Sequence, residues 1–132
     1  RFARVIGKQY RFTPLLMFNP FRDYSHAPEL GTSTGMEQRA YGFRQRCSRV
    51  VELEEVITLP AAMQGVDMPK DNLIVGGAAS FRSHVRVNGN QLEFGATHRM
   101  EKRVYDAGDW PLFRDALMAR KDLSAYPLTL SK

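Results

Sequence analysis

The sequence predicts a mainly β protein, an antiparallel β-sandwich with one C-terminal helix packed on it. Apolar and polar residues alternate along much of the chain, which is the period of β-strands. Residues 81–100 hold two such runs around Asn88-Gly89, a dipeptide preferred in tight hairpin turns. Residues 109–122 switch to a helical period. Turn residues recur about every 8–12 residues, which favours a sandwich over a parallel α/β sheet.

The first half of the chain consists of predicted strands separated by turn residues. Gly7 lies inside the first alternating run, where it indicates a bulge. Glu55 and Val56 interrupt the alternation of a later run, which indicates either a bulge or a half-covered edge strand. The predicted elements are a strand over 2–12, a short strand over 15–18, a loop over 21–35, a strand over 38–49 and a strand over 50–59 that Pro60 ends.

The second half begins with residues 61–72, which carry turn chemistry and little pattern, and with a short apolar strand over 73–75. The hairpin follows. With Asn88-Gly89 as its turn, Val85 is opposite Leu92, and the apolar residues of both strands share one face. Residues 128–130 form a last short strand after Pro127.

Two histidines take opposite orientations in this predicted hairpin. His84 points outward opposite Glu93, a cross-strand pair that contributes about 0.2–1 kcal/mol. His98 points inward beside Phe94 and Met100, which is the environment of a hydrogen-bonded core histidine. The hairpin therefore predicts a structural role for both imidazoles.

The predicted helix over 109–122 has recognisable ends. Asp109 is a suitable N-cap, and Pro111 lies in the first turn, where a missing N–H costs nothing. Arg120 and Lys121 lie near the C-terminal end, where the helix dipole favours positive charge. The apolar stripe that should pack on the sheet consists of Leu112, Phe113, Ala116, Leu117 and Ala119.

Length and composition indicate one globular domain over residues 1–132. The chain has 132 residues, 43% of them hydrophobic and 25% charged, and its 14 aromatic residues argue against disorder. Its apolar runs are far too short to span a membrane. A single cysteine excludes an internal disulfide framework and a cysteine-based zinc site.

The positive charge is concentrated in the first part of the chain. The net charge is +5, and residues 1–49 hold nine basic and three acidic residues. Arginine forks suit phosphate and carboxylate groups. An exposed basic and aromatic strand could bind single-stranded nucleic acid, but it could equally be a solvated strand face. The residues that would bind an anionic ligand or form an interface are Arg39, Arg44, Arg46 and Arg49, with Tyr41 and Phe43 between them.

No residue pattern indicates catalysis, a metal site or a cofactor. Cys47 lies in strand-like sequence between Arg46 and Ser48, unlike the helix-start cysteines of known hydrolases, so we interpret it as a half-buried structural thiol. Histidine occurs at positions 26, 84 and 98, without the close spacing of zinc ligands. Glu52, Glu54 and Glu55 are neighbours on one strand and are expected to be solvated. We therefore expect a protein that is not an enzyme.

Three segments in order resemble the C-terminal β domain of large bacterial transglutaminase-like proteins. They are VVELEEVITLP at 50–60, the hairpin SFRSHVRVNGNQLEF at 80–94 running on to residue 101, and DWPLFRDAL at 109–117. In that family a β-rich domain precedes a papain-like transglutaminase domain, and a further β domain closes the chain. The resemblance implies the periplasm or cell envelope. The family's Cys-His-Asp triad lies in the papain-like domain, so no catalytic residue is carried over, and Cys47 does not inherit that role.

The resemblance leads to two expected functions of different classes. The first is a non-catalytic accessory domain that supports or docks a neighbouring papain-like domain or a protein partner. The sequence begins Arg1-Phe2 without an initiator methionine, so we expect a fragment of a longer protein. Phe2, Phe18 and Phe21 would then form an apolar inter-domain patch. The alternative is an autonomous module that binds an anionic glycan, lipid or nucleic acid through the arginine-rich strand, with salt-dependent affinity.

Overall fold

A computed structural model describes residues 3–13, 35–46 and 48–132 of the chain. Phe2, Phe18, Phe21, His26 and Cys47 lie outside the described residues, as do the strand predicted over 15–18 and most of the loop predicted over 21–35. The strands are β1 (Ala3–Ile6), β2 (Gln9–Phe12), β3 (Phe43–Arg44), β4 (Arg49–Thr58), β5 (Gln64–Asp67), β6 (Asn72–Ile74), β7 (Ala79–Asn88), β8 (Gln91–Met100), β9 (Val104–Tyr105) and β10 (Leu128–Ser131). A 3₁₀ turn (Ala107–Asp109) leads into helix α1 (Trp110–Ala125).

The described strands form three antiparallel sheets. One four-stranded sheet has the order β1-β2-β10-β5, and a second, the hairpin sheet, has the order β4-β8-β7-β6. Strands β3 and β9 pair as a separate two-stranded ribbon. The predicted class is confirmed: the protein is mainly β, with antiparallel sheets and one C-terminal helix.

One hydrophobic core joins the two larger sheets and the helix. Strand β7 contributes Phe81, which is fully buried, and α1 lies mainly against that strand. Strand β10 contributes Leu128 and Leu130, also fully buried, from the other four-stranded sheet. Burying large aliphatic and aromatic side chains contributes about 1.5–3 kcal/mol each, so this shared core is what holds the sheets together in a sandwich-like arrangement.

The first predicted strand is two strands. Gly7 does not form a bulge but lies in the turn of a β1–β2 hairpin, in which Ile6 pairs with Gln9. Its φ of 62° lies in the left-handed region that glycine adopts readily. The strand predicted over 38–49 is also shorter than expected, because among its described residues only Phe43 and Arg44 of β3 and Arg49 at the start of β4 belong to paired strands. Strand β5 was missed because its four residues are all exposed.

Strand β4 resolves the two alternatives left open at Glu55. Its register with β8 is continuous from Arg49 opposite Met100 to Thr58 opposite Gln91, so there is no bulge. Instead β4 is an edge strand of the hairpin sheet, and its alternation continues with Glu55 half-buried and Val56 exposed. The edge position explains how a carboxylate is tolerated on the inner side of the sheet.

The long hairpin forms as predicted, but its two-residue turn lies one residue later in the chain than predicted. Asn88 pairs with Gln91, which leaves Gly89 and Asn90 as the turn, and Val85 pairs with Phe94 instead of Leu92. Gly89 has a φ of 58° and Asn90 has no positive φ, as in a type II′ turn with glycine first. The change moves each partner by two residues, so the inward and outward faces stay as predicted.

Helix α1 begins where the sequence predicts and ends three residues later. The carboxylate of Asp109 accepts hydrogen bonds from the Asp106 N–H and from Lys102 Nζ, so it stabilises the preceding turn and does not cap the helix itself. Arg120 is 6% exposed and lies on the core side of the helix. The sequence predicts its favourable position relative to the helix dipole, and the structure adds that its side chain belongs to the buried stripe, which recurs at Phe113, Ala116 and Arg120.

Candidate interaction surfaces

The outer face of the hairpin sheet is a polar surface whose side-chain rows are given by the strand registers. Its side chains form rows across the sheet, because each residue of β8 pairs with one on β4 and one on β7. One row runs Glu52, Thr97, Arg82, and the next runs Glu54, Gly95, His84. In these two rows acidic residues lie on β4, basic residues on β7, and glycine or threonine on β8 between them.

A groove follows β8 between these two sets of charges. Its floor is formed by Gly95 and Thr97, its acidic wall by Glu52 and its basic wall by Arg82. The cavity has a volume of about 290 Å³. A second depression of about 390 Å³ shares Glu52, Arg82 and Thr97 and continues the groove toward the start of β7. Two strand spacings separate the walls, which is about 10 Å.

His84 occupies part of the groove because Gly95 has no side chain. A Cβ at Gly95 would meet the ring atoms of His84, so the imidazole lies directly on this glycine. The predicted partner of His84 was Glu93, but Glu93 is opposite Arg86 in the observed register. His84 is exposed and points outward as the sequence predicts.

Within the described residues, the charged side chains of the groove form no ion pair, whereas charged side chains next to them do. Arg86 donates to Asp71, and this hydrogen bond lowers the pKa of the Asp71 carboxyl. Arg99 and Glu101 form an ion pair, with 3.6 Å between Arg99 Nε and Glu101 Oε1. Among the residues that the structure describes, Glu52, Glu54 and Arg82 take part in no ion pair. They can therefore pair with groups of a partner without first breaking an internal contact.

The predicted arginine cluster divides between the core and the surface. Phe43 is buried, with its ring stacked on Tyr105 at a centroid distance of 4.8 Å and edge-on to Trp110 at 5.2 Å. Arg39 covers this aromatic group, since its guanidinium carbon lies 4.0 Å from the Trp110 ring centroid. A cation over an indole face is favourable by about 0.5–2 kcal/mol. Arg39 and Phe43 therefore take part in packing within the fold.

The other predicted residues of the cluster lie at the surface or at the sheet edge. Arg44 and Arg46 are exposed, and Tyr41 is 84% exposed. Arg49 is half-buried at the start of β4. The structure thus brings Arg44, Arg46 and Tyr41 to the surface and separates them from Arg39 and Phe43. That this cluster binds an anionic ligand stays a prediction.

Sequence reasoning missed Arg103, the basic residue that strand pairing adds to this surface. Arg44 pairs with Val104, and the Gln45 N–H donates to the Arg103 carbonyl at 2.8 Å. Arg103 is exposed and lies at the end of the ribbon, opposite Gln45. No local signal in the sequence joins positions about 60 residues apart, so only the β3–β9 pairing shows this surface.

His98 lies on the core side of β8, as predicted, and is 1% exposed. Arg120 Nη1 donates to its Nδ1 over 3.2 Å, which places the proton of the neutral ring on Nε2. Among the described residues Nε2 has no hydrogen-bond partner, so the predicted hydrogen-bonded core histidine is satisfied on one side only. Burial, and to a smaller extent the Arg120 charge, lowers the pKa of His98 from 6.5 to about 3.

Two further observations concern the described part of the chain. Its histidine, aspartate and glutamate residues form no group of three that could hold a metal ion. None of its helices has the length and apolar character needed to cross a membrane.

Comparison with known proteins identifies the family of this fold. The chain belongs to the DUF3858 family, a domain of unknown function with a solved structure, whose sequence profile matches residues 8–130. No curated protein matches the chain. A crystal structure of a protein from Parabacteroides distasonis, described as a putative protease, has a similar fold with a TM-score of 0.63 at 14% identity. The match covers 78% of this chain and 20% of that protein, so this chain spans about one fifth of the similar protein's length.

Proposed function

We propose that this chain is a non-catalytic accessory domain of a transglutaminase-like protein, where it supports or docks a neighbouring papain-like domain or a protein partner. The observation that carries the proposal is that a similar fold recurs as about one fifth of a much longer protein described as a putative protease. A small β domain attached to a larger enzyme would produce this relationship. The three segments that resemble the C-terminal domain of transglutaminase-like proteins lie within the matched family region.

The outer face of the hairpin sheet is the docking surface in this proposal. Inter-domain interfaces are more polar than obligate ones and combine apolar and charged residues. This face has exposed apolar residues on both edge strands, with Val56 on β4 and Leu73 on β6, 62% and 71% exposed. The charged groove lies between them. Glu52 and Arg82 would then fix the orientation of the neighbouring domain, since charge complementarity contributes chiefly to specificity.

The first test is the sequence of the gene upstream of the codon for Arg1. The proposal expects a papain-like domain with Cys, His and Asp encoded there. A gene that encodes no such domain would overturn it.

The second test measures docking in the longer protein by calorimetry. A docked pair should melt in one transition. Arg82→Glu should separate this into two transitions, because it makes both walls of the groove acidic. Arg4→Glu is the matched control, since it makes the same charge change at an exposed position of the β1–β2 hairpin. If the two variants melt alike, the outer face is not the docking surface.

A further inference from the structure

We infer that the β3–β9 ribbon binds an acidic segment of polypeptide through Arg44, Arg46 and Arg103. The inference rests on the proposed function in one respect, namely that the ligand is a protein partner. It concerns a second surface, separate from the groove of the hairpin sheet.

The register of the ribbon directs Arg44 and Arg46 outward, and Arg103, which lies opposite Gln45 at the end of the ribbon, is exposed as well. Phe43 and Tyr105 are paired and both buried, so their neighbours Arg44 and Val104, which also pair with each other, point to solvent. Gln45 is 5% exposed, and the alternation continues to the exposed Arg46. The rigid aromatic group beneath Phe43 holds the backbone of these arginines in place.

The three guanidinium groups have no internal partner within the described residues. Arg44, Arg46 and Arg103 take part in no ion pair there. The adjacent Lys102 differs, since its Nζ donates to Asp109 at 2.9 Å and this hydrogen bond raises the pKa of the lysine. The three arginines therefore carry positive charge that no ion pair within the described residues neutralises. An arginine can bind a carboxylate through two parallel hydrogen bonds.

The exposed surroundings favour a polypeptide over a nucleic acid. Single-stranded nucleic acids bind on several successive exposed aromatic rings. The structure buries Phe43 in the core, which leaves Tyr41 as the exposed aromatic residue of this segment. Val104, 67% exposed, adds an aliphatic contact. Alternate side chains of an extended peptide lie about 7 Å apart, which matches the spacing of two arginines separated by one residue.

The test is fluorescence anisotropy with a labelled peptide of alternating glutamate and serine, eight residues long, at low and at physiological salt. The same peptide with glutamine in place of glutamate and a single-stranded oligothymidine are the comparison probes. We expect the acidic peptide to bind with an affinity that falls as salt rises, and to bind more tightly than either comparison probe.

Two triple variants with equal net charge distinguish binding at these three arginines from nonspecific electrostatic attraction to the protein. Arg44→Ser/Arg46→Ser/Arg103→Ser should weaken peptide binding about tenfold, since exposed ion pairs contribute modestly each. Arg4→Ser/Lys8→Ser/Arg11→Ser removes three exposed basic residues of the β1–β2 hairpin and should leave binding near that of the wild type. All six positions are exposed, so both variants should keep the wild-type circular dichroism and melting temperature.

Three outcomes would overturn the inference: no binding of the acidic peptide, equal loss in both triple variants, or tighter binding of the oligothymidine. None of these affects the docking test on the longer protein, which depends on Arg82 and the gene sequence. Conversely, separate melting of the domains in the wild-type longer protein would refute docking through the hairpin sheet and leave the peptide result unchanged.

Discussion

The buried imidazole of His98 makes the protein sensitive to mild acid. Because its pKa falls from 6.5 to about 3 on folding, the folded state prefers the neutral ring. The resulting stability is fully present above pH 6.5 and is lost as the pH falls toward 3, by at most about 1.4 kcal/mol per pH unit.

We expect His98→Gln to reduce this loss, since glutamine can still accept the Arg120 hydrogen bond but does not titrate. The measurement is the free energy of unfolding in urea at pH 7.5, 5.5 and 4.5. His84→Gln is the control at an exposed histidine and should keep the wild-type slope. Identical slopes in wild type and His98→Gln would show that His98 does not carry the effect.

Gly42 is required by close backbone approach. A Cβ at this position would lie 2.7 Å from the carbonyl oxygen of Tyr105, and backbone cannot move aside as a side-chain tip can. We expect Gly42→Ala to destabilise the protein by about 1–3 kcal/mol through overpacking. Gly77→Ala is the control, because nothing lies within 4 Å of its Cβ. Equal urea midpoints for the two variants would contradict the prediction.

At the scale of the element, the β7–β8 hairpin depends on its turn. Gly89 has a φ of 58°, and its carbonyl accepts a hydrogen bond from the Met63 N–H at 3.0 Å. We expect Gly89→Ala to cost about 1–2 kcal/mol, because an L residue is strained in the left-handed region. Gly108→Ala, where φ is not positive and space is open, should change stability by less than about 0.5 kcal/mol. A smaller loss at Gly89 than at Gly108 in urea unfolding would refute this account.

The elements also show how far sequence reasoning reaches. The long hairpin, α1 and β10 were predicted because their apolar periods are strong and local. The register of the hairpin was not predicted, because both Asn88-Gly89 and Gly89-Asn90 suit a two-residue turn. The choice between them depends on all the cross-strand pairs of β7 and β8 together. The burial of Arg120 was not predicted, because its charge indicated only an interaction with the helix dipole, whereas the helical period places it on the core face.

The candidate surfaces were less predictable than the elements. His84 and Glu52 could each be assigned to the solvent side of a strand. These two side chains line one groove only because β4 lies beside β8, and no local sequence pattern predicts that pairing. The same holds for Arg44 and Arg103, which a long-range pairing brings together.

At the scale of the whole molecule, the shared core predicts cooperative unfolding. The core cluster contains Phe12 and Leu130 from one sheet, Phe81 from the other and Trp110 from α1. Trp110 is the single tryptophan of the chain and is fully buried, so its fluorescence reports one known site. We expect the urea midpoints from tryptophan fluorescence and far-ultraviolet circular dichroism to coincide, as in a two-state transition. Midpoints that differ beyond experimental error would show that the sheets unfold separately.

The order of the first sheet has a consequence for how the protein is made. Strand β10 lies between β2 and β5, and Leu128 pairs with Phe12 across more than a hundred residues of chain. During synthesis, at about 5–20 residues per second, β10 follows β2 only after more than a hundred further residues. For several seconds the edge of β2 that later binds β10 has no native partner. This sheet therefore cannot be completed before β10 has been synthesised, and a chain that stops before Leu128 leaves that edge of β2 open to pairing with another chain.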